Sequence, residues 1–124
     1  MTAQTNPLAR HGGLSYLHIP ARDQQKSAAF YEKLLGWTID QRSNGYRFSA
    51  GDGLLIGGFS KGETGVGAGV GFVPYFYVED IEAALERATS SGGEIVDPPR
   101  AEGDIRVAEI RDPAGNRLGL WRFA

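Results

Sequence analysis

The sequence contains no cysteine, and this absence excludes several kinds of chemistry at once. Without thiols the chain cannot form disulfides, use a thiolate nucleophile or hold a metal through sulfur. Long hydrophobic runs are also absent, so no segment has the length needed to span a bilayer. Residues 1–11 lack the apolar core of a signal peptide. We therefore expect a cytoplasmic protein with a loose polar segment at its N-terminal end.

Strong charge of one sign is missing as well, because the formal net charge is only −2 at pH 7. Without a basic surface we expect neither nucleic-acid binding nor membrane binding. The hydrophobic fraction of 41% and the charged fraction of 23% are ordinary for a globular domain. A length of 124 residues is enough for one compact domain. Glycine is abundant instead, with 18 residues, many of them within 51–71.

The chain contains the same order of sequence patterns twice. A short apolar strand closes on Asp23, and a second one closes on Asp80, 57 positions later. Gly36 and Gly93, which follow the two predicted helices, are also 57 positions apart. This constant spacing predicts a duplicated structural unit. Each copy of roughly 50–60 residues would be only marginally stable alone, so we expect the copies to share a core or to pair with a partner chain.

Each copy is predicted to contain a strand, a helix and three further strands. In the first copy the predicted elements are strand 14–19, helix 23–35 and strands 37–41, 46–50 and 54–59. In the second copy they are strand 73–78, a helix starting at Glu79-Asp80, and strands 94–97, 105–111 and 117–123. Pro98-Pro99 is expected to end the strand at 94–97. We therefore expect one domain with a module at about 14–59, a glycine-rich linker at about 60–72 and a module at about 73–123.

Three segments resemble a known protein family. Their order along the chain is more specific to that family than any single segment. They are residues 27–37 (SAAFYEKLLGW), 74–81 (PYFYVEDI) and 112–116 (DPAGN). Together with the internal repeat they resemble the vicinal oxygen chelate superfamily of glyoxalases, bleomycin resistance proteins and extradiol dioxygenases. The resemblance implies an α+β fold in which two βαβββ modules form a curved, half-open mixed sheet with helices on its convex side. It also implies a homodimer that covers the sheet edges.

The resemblance further implies where a divalent metal would bind. Metal-dependent members take His, Gln or Glu ligands from the first and fourth strands of each module. The corresponding residues here are Tyr16, Gly57, Val73 and Gly119. Valine and glycine have no side-chain donor, and tyrosine alone cannot hold a hard cation at neutral pH. We therefore expect no metal cofactor, with a weak divalent-metal site at His18 and Glu109 as the alternative.

Strand alternation predicts a cavity lined by aromatic side chains. Tyr16 and His18 share one face of the first strand, because side chains two residues apart point the same way. The same alternation adds the following to the cavity: Leu55, Phe59, Val73, Tyr75, Tyr77, Arg117 and Trp121. Aromatic walls with a few polar tips suit a flat or cyclic organic ligand. Arg106, Arg111 and Arg117 could balance an anionic substituent of that ligand, although an arginine on a strand is usually solvated.

Three functions remain open at this point. The leading hypothesis is metal-free binding of a small aromatic or cyclic organic molecule, as the resemblance to bleomycin-binding proteins implies. The second is an enzyme of the same superfamily. It would be a metal-independent acid/base catalyst that uses His18 and Tyr16, or a metal-dependent lyase, isomerase or dioxygenase. The third is a structural dimer in which the aromatic residues only pack against a partner. A serine triad is not predicted, because Ser15 has no elbow turn to expose it.

Overall fold

The computed structural model describes residues 8, 11, 14–42, 45–51, 53–61 and 73–124, with only the backbone for residues 42 and 61. Most of the predicted N-terminal segment and residues 62–72 of the predicted linker lie outside the described residues. The first module contains β1 (Tyr16–Ala21), α1 (Gln24–Leu35), β2 (Thr38–Arg42), β3 (Gly45–Ala50) and β4 (Leu55–Lys61). The second contains β5 (Tyr75–Tyr77), α2 (Ile81–Ser90), β6 (Glu94–Glu102), β7 (Ile105–Arg111) and β8 (Arg117–Phe123). The predicted order βαβββ, repeated once, is confirmed.

The eight strands form two separate four-stranded sheets. The strand order is β1-β4-β3-β2 in the first sheet and β5-β8-β7-β6 in the second. In both sheets the first strand of the module runs parallel to the fourth, and the other neighbours are antiparallel. The predicted α+β class with two mixed modules is therefore confirmed. No described ladder joins the two sheets, so the single curved sheet of the prediction is replaced by two.

Both helices begin at equivalent aspartates. The side chain of Asp23 accepts a 3.1 Å hydrogen bond from the backbone N–H of Lys26, and Asp80 accepts one of 3.0 Å from Ala83. A carboxylate at this position satisfies a free N–H group and interacts favourably with the positive end of the helix dipole. The matching caps confirm the 57-residue repeat at the level of local chemistry. Neither described helix is long and apolar enough to cross a membrane.

The two helices contact each other and help to form one hydrophobic core with both sheets. Tyr31 of α1 stacks on Trp37 with 5.0 Å between ring centroids, and Trp37 meets Phe76 of the second module edge-on at 5.6 Å. The expected sharing of a core between the two copies is thus confirmed. Helix α2 buries Ile81, Ala84, Leu85 and Ala88, which lie on one side of the helix at spacings of three and four. In α1 the fully buried Phe30 belongs to the core.

The prediction that Pro98-Pro99 ends a strand is wrong, because β6 continues through both prolines to Glu102. The pairing of β6 with β7 shifts register between Ile95 and Asp97 and again between Asp97 and Arg100. Proline is tolerated here because β6 lies at the edge of its sheet, where one side of the strand needs no backbone donors. The irregular pairing sets Asp97 opposite Glu109 on β7.

Candidate functional site

The strongest candidate site is the surface of the second sheet that faces away from the helices. Pairing between β5 and β8 places Tyr75 beside Gly119 and Tyr77 beside Trp121. The alternate residues of β8, Leu118 and Leu120, lie in the core with at most 1% exposure. The predicted alternation of the second module is therefore confirmed. We call the outer surface the second-module face, defined by Tyr75, Tyr77, Glu109, Arg117, Trp121 and Phe123.

One half of the second-module face is an aromatic cluster. The rings of Tyr77 and Trp121 meet edge-on with 5.1 Å between centroids, and Trp121 and Phe123 meet in the same way at the same distance. Tyr77 remains 52% exposed and Phe123 61% exposed. Large rings that contact each other yet stay exposed form an apolar surface that can receive another aromatic group.

The other half of this face is a polar network built around Glu109. The hydroxyl of Tyr75 donates a 2.5 Å hydrogen bond to Oε2 of Glu109. The other carboxylate oxygen, Oε1, accepts from Nε of Arg117 at 3.0 Å and also from Nη2 of the same guanidinium. The ring of Tyr75 lies directly over Gly119, where an added Cβ would come within 2.2 Å of it. Glycine at position 119 is therefore what allows Tyr75 to reach Glu109.

The electrostatics of this network follow from its hydrogen bonds. The bond to Glu109 raises the pKa of Tyr75 to about 12, with burial as a second cause. The bond from Tyr75 lowers the pKa of Glu109, and Arg117 acts in the same direction against partial burial. At neutral pH the network therefore consists of a neutral phenol, a carboxylate and a guanidinium. The two charges of this network therefore cancel each other.

The corresponding surface of the first sheet carries Tyr16 and His18, which we call the first-module face. Their rings are tilted against each other with 5.1 Å between centroids. Beside them is a hollow of about 140 Å³ lined by Tyr16, His18, Gly45, Tyr46, Arg47, Gly58, Phe59 and Ser60. All of these residues belong to the first module. The hollow is large enough for a few water molecules or a small substituent, but not for a two-ring ligand.

The predicted face of β4 is wrong by one residue. His18 pairs with Gly58, whereas Gly57 pairs with Leu17 on the core side. Leu55 and Phe59 share that side: Leu55 packs against the core, and Phe59 is 6% exposed and contacts the ring of Tyr31. Two consecutive glycines carry no side chain that would fix the alternation, so the repeat was aligned one position too early. Gly58 is therefore the counterpart of Gly119.

Aligning Gly58 instead of Gly57 with Gly119 does not add a side chain that could bind a metal. The four positions become Tyr16, Gly58, Val73 and Gly119, and Val73 is a half-buried residue just before β5. Among the described residues there is no cluster of three or more His, Asp or Glu side chains suited to a metal. His18 contacts Tyr16, while the Glu109 carboxylate is already bonded to Tyr75 and Arg117.

Within one chain the structure does not bring the two faces together. The described ring contacts join Tyr16 only to His18, and they join Tyr77 only to Trp121 and Phe123. The modules instead meet through their core faces, where the helices contact each other and Trp37 reaches Phe76. Both candidate faces point away from that contact. The predicted single hollow with both sets of residues stays a prediction, and it could be built within one chain or across a dimer.

The three arginines proposed to balance an anion are all paired with carboxylates. The pairs, with their shortest N–O distances, are Arg106 with Glu82 at 2.7 Å, Arg111 with Glu94 at 3.6 Å, and Arg117 with Glu109. The pair of Arg106 joins β7 to α2 and therefore lies on the helix side of the sheet. Exposed pairs of this kind contribute little to stability, but each carboxylate removes the net positive charge that an anionic ligand would require.

A larger hollow, about 440 Å³, lies elsewhere, between the end of α1 and the start of α2. Its charged side chains hold the fold together. Arg87 donates to the backbone oxygen of Leu34 at 3.3 Å, and Asp80 caps α2. Its apolar residues belong mostly to the core edge, and Tyr77 is its single aromatic residue. Size alone therefore does not make it the candidate site.

The sequence predicted Tyr75, Tyr77, Arg117 and Trp121 as site residues but did not predict the contacts that these side chains make. Glu109 was considered only as a metal ligand, although its position opposite Gly119 places it under the Tyr75 hydroxyl. Phe123 was missed as well, and the alternation that selected Trp121 would have found it two residues later. Asp97 could not have been found, because its place opposite Glu109 depends on the irregular pairing of β6.

Comparison with known proteins identifies the family. Residues 13–120 match the model of the Glyoxalase/Bleomycin resistance protein/Dioxygenase superfamily. The chain belongs to this superfamily. The resemblance found in the three sequence segments is therefore confirmed, and so is the implied fold. Because the description of the superfamily names a resistance protein beside enzymes, membership alone does not select a function.

Two relatives of this superfamily member illustrate the range. The anthracycline biosynthesis protein DnrV of Streptomyces peucetius is 28% identical over an alignment of 129 positions, which covers 90% of this chain and 47% of DnrV. A glyoxylase-like domain-containing protein of Didymella fabae is 33% identical over an alignment of 92 positions, which covers 67% of this chain and 70% of that protein. The chain spans about half the length of the relatives that it matches over most of its own length.

Two solved structures support the glyoxalase-type fold. A family enzyme from Burkholderia phytofirmans PsJN has a TM-score of 0.73 at 20% identity and covers 90% of this chain and 99% of its own. TnmS3, an antibiotic binding protein from Streptomyces sp. CB03234, has a TM-score of 0.69 at 21% identity and covers 90% of this chain and 95% of its own. At these identities the likeness concerns the fold alone.

Proposed function

We propose that the protein binds a small aromatic or cyclic organic molecule on its second-module face, without a metal ion. The observation that carries this proposal is the exposed contact of Tyr77, Trp121 and Phe123 beside the Tyr75–Glu109–Arg117 network. The rings supply apolar contact area, and the network supplies polar groups that orient a ligand. Two relatives give independent support, since TnmS3 is described as an antibiotic binding protein and DnrV as an anthracycline biosynthesis protein.

We also propose that the protein acts as a homodimer. Tyr16 is 42% exposed on one sheet and Tyr75 is 44% exposed on the other, and both faces point away from the contact between the modules. A second copy related by a twofold axis can place its first-module face opposite the second-module face of the first copy. The cavity would then contain both sets of predicted residues. Light scattering should give twice the chain mass of 13.4 kDa, and a monomer mass at micromolar concentration contradicts this proposal.

A metal-independent enzyme is the second candidate, and the contact between Tyr16 and His18 favours it. Their 5.1 Å ring separation beside a small polar hollow is suited to an acid/base pair. Turnover that is lost in His18→Gln, while aromatic ligands still bind, would support this function over simple binding. We also propose that the protein is located in the cytoplasm.

The test of ligand binding compares two substitutions on β8. Trp121→Ala removes a ring from the second-module face and should weaken the binding of 2-methoxynaphthalene by about 1–3 kcal/mol, with little loss of stability. Leu118→Ala removes a side chain that is 1% exposed and should cost about 2–5 kcal/mol of unfolding free energy. Calorimetric titration and thermal melting of both variants check this. Unchanged binding by Trp121→Ala contradicts the proposed site.

A further inference from the structure

We propose that Tyr75 determines the ligand specificity of the second-module face, by accepting a hydrogen bond from a hydroxyl or amino group on an aromatic ligand. This inference rests on the proposed function and narrows its ligand class to aromatic molecules that carry a hydrogen-bond donor. It follows from the direction of the hydrogen bonds in the Tyr75–Glu109–Arg117 network. It also follows from the place of that network beside the aromatic cluster.

The single proton of the Tyr75 hydroxyl is already committed. It is donated to Oε2 of Glu109 at 2.5 Å, and Arg117 keeps Glu109 ionised as an acceptor. A phenol that donates its proton retains lone-pair capacity on its oxygen. Donation to a carboxylate also makes that oxygen a better acceptor, since hydrogen bonds in a chain polarise one another. Tyr75 therefore presents an acceptor, and not a donor, to any approaching molecule.

The position of the Tyr75 ring is fixed from below and open from above. Gly119 provides the recess beneath the ring, because an added Cβ there would lie 2.2 Å from the nearest ring atom. On its other side the Tyr75 residue is 44% exposed and therefore open to a ligand. Tyr75 and Tyr77 lie two residues apart on one face of β5, a separation of roughly 7 Å. A two-ring ligand that contacts Tyr77 and Trp121 is long enough to reach the Tyr75 oxygen.

The charge of the network argues against an anionic ligand. Arg117 is the one cation of the Tyr75–Glu109–Arg117 network, and its Nε and Nη2 both donate to Glu109. Arg100 and Arg111 lie on the same side of the sheet, but they too are paired with carboxylates, Arg100 with Asp97 and Glu102 and Arg111 with Glu94. An anion would meet the carboxylate of Glu109 together with the guanidinium, and so would gain little net attraction. A neutral hydrogen-bond donor is not repelled by the carboxylate of Glu109. The network therefore selects a neutral hydroxyl or amino group over a carboxylate or phosphate.

Three naphthalene probes separate these possibilities at pH 7: 2-naphthol, 2-methoxynaphthalene and 2-naphthoate. They share the same rings but offer, respectively, a donor, no donor and a negative charge. We expect the unmodified protein to bind 2-naphthol about tenfold more tightly than 2-methoxynaphthalene, the factor that one net hydrogen bond supplies. In Tyr75→Phe, which keeps the ring over Gly119, the two affinities should become equal through weaker binding of 2-naphthol alone. Calorimetric titration measures both ratios, and thermal melting checks that the variant is folded.

The outcomes distinguish this inference from the proposed function. Equal affinities of 2-naphthol and 2-methoxynaphthalene for the unmodified protein overturn the role of Tyr75 while the aromatic site survives. A preference for 2-naphthol that persists in Tyr75→Phe overturns it as well, as does tightest binding of 2-naphthoate. If none of the three probes binds the unmodified protein, the proposed function itself fails, and the inference fails with it.

Discussion

The hydroxyl of Tyr31 donates a 2.8 Å hydrogen bond to the buried carboxylate of Asp112 and so joins the helix of the first module to the last turn of the second. Asp112 also accepts from the backbone N–H groups of Ala114 and Asn116 and from the side chain of Asn116. The Asn116 amide in turn donates to the backbone oxygen of Pro20 in β1. Burial raises the pKa of both Tyr31 and Asp112, while the hydrogen bonds that Asp112 accepts act to lower its own pKa.

Replacing Tyr31 with phenylalanine should therefore destabilise the protein. The ring stays in the core, but the buried carboxylate of Asp112 loses one of its donors. We expect a loss of about 1–3 kcal/mol of unfolding free energy, the usual range for a buried polar group left short of a partner. Urea denaturation measures it. Tyr77→Phe is the control, because its hydroxyl belongs to a half-exposed side chain. Equal stability of the two variants would show that the contact between Tyr31 and Asp112 does not hold the modules together.

The contact between Tyr31 and Asp112 could not be predicted from the sequence. Tyr31 and Asp112 are 81 positions apart, and no local pattern links them. The repeat, the helix caps and the alternation of β8 were predictable because each depends on neighbouring residues. The face of β4 was not, since Gly57 and Gly58 carry no side chains to show it. The continuation of β6 was not either, because only the assembled sheet shows that Pro98 and Pro99 lie on an edge strand.

Three glycines of the strands should respond differently to alanine. A Cβ on Gly57 would lie 2.0 Å from the backbone oxygen of Leu17, which cannot move aside without disturbing β1. The three atoms nearest to a Cβ on Gly119 all belong to the ring of Tyr75, a half-exposed side chain that can rotate away. A Cβ on Gly58 would find ordinary contacts at 3.5 Å and beyond. The three positions thus represent a backbone clash, a side-chain clash and an ordinary van der Waals contact.

We expect Gly57→Ala to be the most destabilising, by more than about 2 kcal/mol, as is typical of overpacking against rigid structure. Gly119→Ala should cost less but should break the hydrogen bond between Tyr75 and Glu109. Gly58→Ala should be nearly neutral. Thermal melting ranks the stability of the three variants. Absorbance of phenolate during alkaline titration reports whether the pKa of Tyr75 is still raised. If Gly58→Ala is instead worse than Gly57→Ala, the corrected register of β4 is wrong.

The stability contributed by Tyr75 should depend on pH with a defined shape. The pKa of Tyr75 is raised from 10.0 to about 12, so its contribution is complete below pH 10 and is lost as pH rises towards 12. The pKa of Glu109 is lowered from 4.5, so its contribution is complete above that value and is lost as pH falls below it. The difference in unfolding free energy between the unmodified protein and Tyr75→Phe should therefore be largest between these limits. Urea denaturation across the pH range measures it, and a difference that does not vary with pH contradicts the coupling.

Purified protein should contain far less than one equivalent of transition metal. The reason is the chemistry of the expected ligand positions, where Gly58, Val73 and Gly119 have no side-chain donor atom and Tyr16 offers a single phenol oxygen. The nearest carboxylate, Glu109, would have to give up Tyr75 and Arg117 before it could bind a cation. Addition of a chelator should accordingly leave the melting temperature unchanged. Elemental analysis after dialysis against Zn²⁺, Mn²⁺, Fe²⁺ or Ni²⁺ provides the measurement, and His18→Ala is the matched variant. Stoichiometric metal that survives dialysis and disappears in His18→Ala would replace the metal-free proposal with a metal site at His18.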